Sequence, residues 1–137
     1  MRLILDTNAY VGFKLGHESL VACLVRADSI LISPIVLGEL LFGFRGGTRR
    51  DKNMEELQRF LDNPAVESIR LTEITADRYA RIAQLLKKQG TPIPSNDIWI
   101  AAQAMETGAE LITMDRHFEY VPGLVFTLFT HPPVAES

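Results

Sequence analysis

Cysteine is almost missing from this 137-residue sequence, and the single Cys23 leaves no partner for an internal disulfide. Burial and hydrogen bonding must therefore hold the fold, which suits a reducing cytoplasm. Histidine is scarce: His17, His117 and His131 lie far apart, and none has the spacing of a zinc ligand. Only His117, close to Asp115, falls near the acidic residues discussed below. Long apolar runs are lacking too. The longest stretch without Asp, Glu, Lys or Arg, Tyr120 to Ala135, is interrupted by Pro122, Gly123, Pro132 and Pro133, which excludes a membrane span there. Leu3, Ile4 and Leu5 are followed at once by Asp6. A secretory leader needs about 7–15 apolar residues, so none is expected. Positive charge is not in excess: the net charge is −3, which taken alone argues against a basic surface for nucleic acid.

What is present is a globular composition, with 47% hydrophobic and 23% charged residues. One domain is expected over 1–129, followed by a tail over 130–137. Short apolar runs alternate with segments of helical period, the signature of an α/β domain with a mainly parallel sheet. Five strands are predicted: Arg2 to Leu5, Ser29 to Ile32, Val66 to Leu71, Glu110 to Met114 and Leu124 to Phe129. Ser33 before Pro34 opens a helix to about Phe44, and another runs from near Asp51 to a stop before Pro64. Tyr79, Ile82, Ala83 and Leu86 mark a buried helical stripe, with Thr75 as its cap and Gly90 beyond its end. Ile98, Ala101, Ala102 and Met105 repeat that spacing, capped by Ser95 or Asn96 and ended at Gly108. Leu20, Val21, Leu24 and Val25 set Cys23 on a buried helix face.

The acids are placed unevenly. Asp6 follows the first strand directly and Asp115 follows the fourth. Ligands of an open parallel sheet bind beyond the carboxyl ends of its strands, so both side chains are expected at one edge. Glu39, in the second turn of the helix opened by Ser33, and Asp97, in the first turn of its helix, can join them. Each acid also has a purely structural explanation. Asp97 suits the helix dipole, and Asp6 and Asp115 suit turn starts. Glu39, beside Leu37, Leu40, Leu41 and Phe42, is harder to explain that way.

Four clustered carboxylates repel one another, and a divalent cation relieves this most simply. Oxygen ligands favour Mg2+, with Mn2+ as a substitute, and this points to phosphodiester hydrolysis. Without the four acids, the chain has 14 Lys plus Arg against 13 Asp plus Glu, so its acidity is concentrated at the expected site. Arg45, Arg49, Arg50 and Lys52 form a basic loop, and Arg116 follows Asp115. The arginines are candidate phosphate contacts; the alternative for Arg49 to Lys52 is a solvated helix start.

Four segments carry a family likeness: Leu5-Asp6-Thr7-Asn8, Ser33 to Leu40 with Gly43, Asn96 to Ala102, and Leu111 to Phe118. In their order and spacing the sequence resembles the PIN-domain ribonucleases, and among them the VapC-type toxins of type II toxin–antitoxin modules. The resemblance implies a three-layer α/β/α sandwich around a five-stranded parallel sheet. It also implies Mg2+-dependent endoribonuclease activity, homodimerisation and inhibition by a small cognate antitoxin. Asp6, Glu39, Asp97 and Asp115 take the family's acidic positions, Asp6 and Asp97 being the usual direct metal contacts. Thr7, Asn96 and Thr113 match supporting positions. A dimer is expected also from the apolar Ile35, Val36, Leu40 and Phe44, which exceed what one sheet face covers.

A phosphoacceptor domain requires an acid pair after the first strand and a lysine after the last, and the sequence has neither. A phosphatase of the Asp-x-Asp type is excluded by Asn8. A PIN-like module that binds RNA or protein without cutting remains the alternative.

Overall fold

The computed structural model describes residues 1–131. Five strands, β1 (Arg2–Leu5), β2 (Ser29–Ile32), β3 (Val66–Ser68), β4 (Glu110–Thr113) and β5 (Phe126–Leu128), form one sheet in the order β3-β2-β1-β4-β5. Every pairing is parallel, so the sheet expected to be mainly parallel is wholly so. The central strands carry apolar residues side by side because both of their faces are covered: Leu3, Ile4, Leu5, Leu31, Ile32, Leu111 and Ile112 are fully buried.

Among the described residues, six α-helices connect the strands: α1 (Thr7–Lys14), α2 (Glu18–Val25), α3 (Pro34–Arg45), α4 (Arg50–Asp62), α5 (Glu73–Gln89) and α6 (Ser95–Thr107). The chain steps outward from β1 to β2 to β3, then returns to place β4 on the other side of β1. Right-handed crossovers set the helices of these two legs on opposite faces, giving the three layers. The reversal also creates a crevice between the carboxyl ends of β1 and β4, the place where open α/β sheets bind ligands.

Several predicted boundaries move. The edge strands are shorter than expected, β3 ending at Ser68 and β5 spanning Phe126–Leu128. An edge strand has one neighbour to extend its ladder, and the apolar Leu71 beyond β3 is exposed. The cap of α5 is Thr72 rather than Thr75. Thr75 is the third helical residue, and the two complete a reciprocal capping box. Neither Ser95 nor Asn96 caps α6: Pro94 precedes the helix without a side-chain cap, and the Ser95 hydroxyl meets Tyr79 Oη at 3.1 Å. Gly90 and Gly108 do end their helices, at φ 72° and 74°, a left-handed conformation that favours glycine.

On α2, Leu20 and Leu24 are buried and Cys23 half-buried, but Val25 at the helix end is exposed. The surplus apolar face expected on α3 is largely covered within the chain. Val36 and Leu40 are buried, Ile35 and Phe44 pack against the core, and the outward apolar side chain is Phe42, 82% exposed. Of the expected tail, Thr130 is held at its start, where its carbonyl lies 2.7 Å from His17 Nε2; residues 132–137 lie outside the described residues. No described helix is long and apolar enough to cross a membrane.

Candidate active site

Asp6 leaves β1 in extended conformation and caps α1, its Oδ1 accepting from the Ala9 backbone N–H at 2.8 Å. Its other oxygen accepts from the Thr113 hydroxyl at the end of β4. The structural and functional readings of Asp6 therefore coincide: the cap fixes where the carboxylate points. Asp6 is 4% exposed. Burial pushes its carboxyl up to about 6, offset in part by the Thr113 and Ala9 hydrogen bonds and reinforced by the charges of Asp97 and Asp115.

Asp115 occupies the matching position after β4. It caps a single 3-10 turn over Arg116–Tyr120 by accepting from the His117 backbone N–H at 2.9 Å. Phe118, fully buried, anchors that turn to the core. Thr113 joins the two strand ends, because its hydroxyl oxygen also accepts from the Asp115 backbone N–H at 2.9 Å. Thr113, expected at a supporting position, holds Asp6 and the Asp115 backbone.

The two helix-borne acids are recruited from these ends. Thr7, the first residue of α1, donates from Oγ1 to Glu39 Oε1 on α3 at 2.7 Å. His117 lies with Nδ1 3.2 Å from Asp97 Oδ2 and 3.1 Å from Asp115 Oδ1. Asp97, in the first turn of α6, has its carboxyl raised by burial and by the charges of Asp115 and Glu39, against a lowering by His117. All four acids, with Thr7, Asn96 and His117, line one cavity of about 500 Å³.

Among the described residues, no Lys or Arg side chain forms an ion pair with any of the four acids. Partly buried carboxylates without a cationic side chain match a hard divalent cation, and their oxygens are the donor set it takes. The residues present thus fit a metal ion, with Asp97, Asp115 and His117 offering atoms that all lie within 4.8 Å of one another.

The expected basic contacts stand elsewhere. Arg45, Arg49, Arg50 and Arg116 are exposed, and none lines the acidic cavity. Arg49 and Arg50 border a separate shallow depression at the start of α4, and Arg50 lies 3.5 Å from Asp51. Sequence reasoning singles out His117 as the histidine near the acids but, without metal-ligand spacing along the chain, does not name it as a ligand. The signal available was its position two residues after a strand-end Asp, where a tight turn brings it back over the carboxylate.

Comparison with known proteins identifies the family. The PIN domain family model matches residues 3–124. Ribonuclease VapC1 of Haemophilus influenzae (strain R2866) is 30% identical over 117 residues, covering 82% of this chain and 86% of that protein. Ribonuclease VapC2 of Rickettsia felis is 30% identical over 130 residues, covering 91% and 96%. Among solved structures, VapBC2 from Rickettsia felis bound to a DNA fragment from their promoter superposes with a TM-score of 0.82 at 28% identity, covering 93% of this chain and 98% of that one. VapBC-1 from nontypeable Haemophilus influenzae matches with the same score, identity and coverage. With its acids gathered where β1 and β4 end, this chain belongs to the PIN-domain family, in its VapC ribonuclease branch.

Proposed function

We propose that the protein is a metal-dependent endoribonuclease, the toxin of a type II toxin–antitoxin module, with Mg2+ or Mn2+ as its cofactor. The observation that carries this reading is the convergence of Asp6, Glu39, Asp97 and Asp115 on one cavity without a Lys or Arg partner. Asp6, Asp97, Asp115 and Glu39 would hold the cation, which when bound supplies positive charge against the phosphoryl and leaving oxygens and acidifies water. The chain's own residues prepare the site. Thr113 fixes Asp6, the Asp6 cap fixes the start of α1, and Thr7 at that start fixes Glu39. Asn96, exposed at the rim, is a supporting polar contact. Arg116, next to Asp115, and Arg45, Arg49 and Arg50 farther out are the candidate phosphate contacts along a bound RNA.

The similar solved complexes of VapBC type support a small cognate antitoxin as partner. A groove beside the acids suits such a protein: Pro34, Ile35, Gly38 and the exposed Phe42 line it together with Glu39. We propose further that the chain forms a homodimer and acts in the cytoplasm, and that residues 1–129 are the nuclease domain. The experiment is cleavage of a mixed RNA substrate by purified protein with and without Mg2+. Metal-dependent fragments from wild type, absent with Asp6→Asn, support the reading. RNA bound but left intact by wild type with Mg2+ or Mn2+ favours the non-cutting module.

A further inference from the structure

His117 adds a nitrogen to a site otherwise made of carboxylate oxygens. Its Nδ1 lies 3.2 Å from Asp97 Oδ2 and 3.1 Å from Asp115 Oδ1, so a single ring atom faces two carboxylates. Of the two approaches, the one to Asp97 has hydrogen-bond geometry, and the one to Asp115 Oδ1 is a close contact without a directed bond. Adjacent ligands around an octahedral ion with bonds of about 2.1 Å stand about 3 Å apart, close to both separations.

The turn leaves His117 little freedom. The His117 backbone N–H is bonded to Asp115, and the next residue, Phe118, is fully buried. The backbone that carries the ring is therefore fixed on both sides beside the acids, although 46% of the side chain is exposed.

From this geometry we infer that His117 Nδ1 is a ligand of the divalent cation beside Asp97 and Asp115, and shifts the site's preference from Mg2+ toward Mn2+. The inference rests on the metal-dependent reading above and adds a ligand to it. Its chemical basis is that Mg2+ is satisfied by oxygen and water, whereas Mn2+ and the divalent ions after it gain from imidazole nitrogen.

Pulsed electron paramagnetic resonance of the wild-type protein with Mn2+ reads the ligand directly and needs no variant. Nitrogen coupling to bound Mn2+, changed by isotopic labelling of histidine alone, is the expected result. Calorimetric titrations at pH 8 supply the second readout. Wild type should bind Mn2+ more tightly than Mg2+, and His117→Ala should lose about tenfold or more in Mn2+ affinity with a much smaller loss for Mg2+. Asp97→Asn should weaken both ions. Mn2+ bound without histidine nitrogen coupling, or His117→Ala weakening both ions equally, overturns the inference and leaves the metal-dependent reading standing. A wild-type protein that binds neither ion overturns both.

Discussion

The two places where a central strand runs into an aspartate are built on one plan and set to different depths. At the end of β1, Asp6 caps a helix, is almost wholly buried, and is followed by Thr7, which reaches Glu39. At the end of β4, Asp115 caps a 3-10 turn, keeps a quarter of its side chain exposed, and is followed two residues on by His117, which reaches Asp97. Each junction thus supplies one acid directly and recruits another from a helix. The deep junction fixes geometry at a cost in charge burial, and the shallow one leaves its carboxylates open. Thr113 ties the two together through one hydroxyl.

The largest effect should be on catalysis and should not distinguish the junctions. Asp6→Asn and Asp97→Asn are each expected to reduce RNA cleavage by about a thousandfold or more, corresponding to about 4 kcal/mol of transition-state stabilisation. Single-turnover cleavage at saturating Mg2+ measures this. Retention of activity in either variant would break the claim that both junctions serve one centre.

Stability without metal should separate them. Asp6 keeps its proton to about pH 6 in the fold, against 3.8 for an ordinary carboxyl. Between those values the folded state binds more protons than the unfolded one, so stability should fall as pH rises from 4 to 6 and stay at the lower level above. The shift is equivalent to about 3 kcal/mol. Asp6→Asn in a chelator at pH 8 should therefore raise stability by up to about 3 kcal/mol, and the thermal midpoint by several degrees. The Asp6 contribution to the pH slope should vanish with it. Asp115→Asn, being more exposed, should change stability by about 0.5 kcal/mol or less. Added Mg2+ should raise the wild-type midpoint and raise that of Asp6→Asn much less. If Asp6→Asn unfolds earlier than wild type without metal, its carboxylate is a structural cap first.

Breaking the tie comes next in size. Thr113→Val removes the hydroxyl that donates to Asp6 and accepts from the Asp115 N–H, leaving a buried carboxylate short of a donor. A loss of about 2 kcal/mol at pH 8 is expected, shrinking toward pH 5 as Asp6 takes up a proton. Thr113→Ser keeps the hydroxyl and should recover most of it. Chemical denaturation at both pH values checks the pair.

The plan of the junctions was legible in the sequence because strand, acid and cap are neighbours in the chain. Leu3-Ile4-Leu5-Asp6 and Leu111 to Asp115 announce both strand ends, and Ser33-Pro34 announces the helix that carries Glu39. Their depth was not legible. Whether Asp6 is buried depends on Thr113, which lies 107 residues away in the sequence. The sequence predicts no more than a turn after Asp6, whereas α1 spans eight residues, with Gly12 inside it and two buried side chains, too few to mark a stripe. Thr75 and Ser95 suit caps by sequence because a hydroxyl before an apolar stripe fits that role, yet both lie inside the first turn of their helices, a placement that follows from the neighbouring backbone. The convergence of His117 with Asp97 depends on how α6 packs against the turn after β4, and no spacing along the chain encodes that.

The smallest effect concerns the recruitment of Glu39. Thr7 is half-buried at the first position of α1, and its hydroxyl is the side-chain donor that meets Glu39 across the gap to α3. Thr7→Val keeps the β-branched shape and removes only that donor. Glu39 then loses its fixed rotamer while staying on its helix, and a carboxylate proposed to hold a cation works less often from a mobile position. A loss of about tenfold in cleavage rate is expected, equivalent to about 1.4 kcal/mol, with the melting temperature within about two degrees of wild type. Thr7→Ser should restore the rate, because it returns the hydroxyl. A Thr7→Val protein that cuts RNA at the wild-type rate would show that Glu39 reaches its working position without help from the β1 junction, and the parallel between the two strand ends would then hold for the aspartates alone.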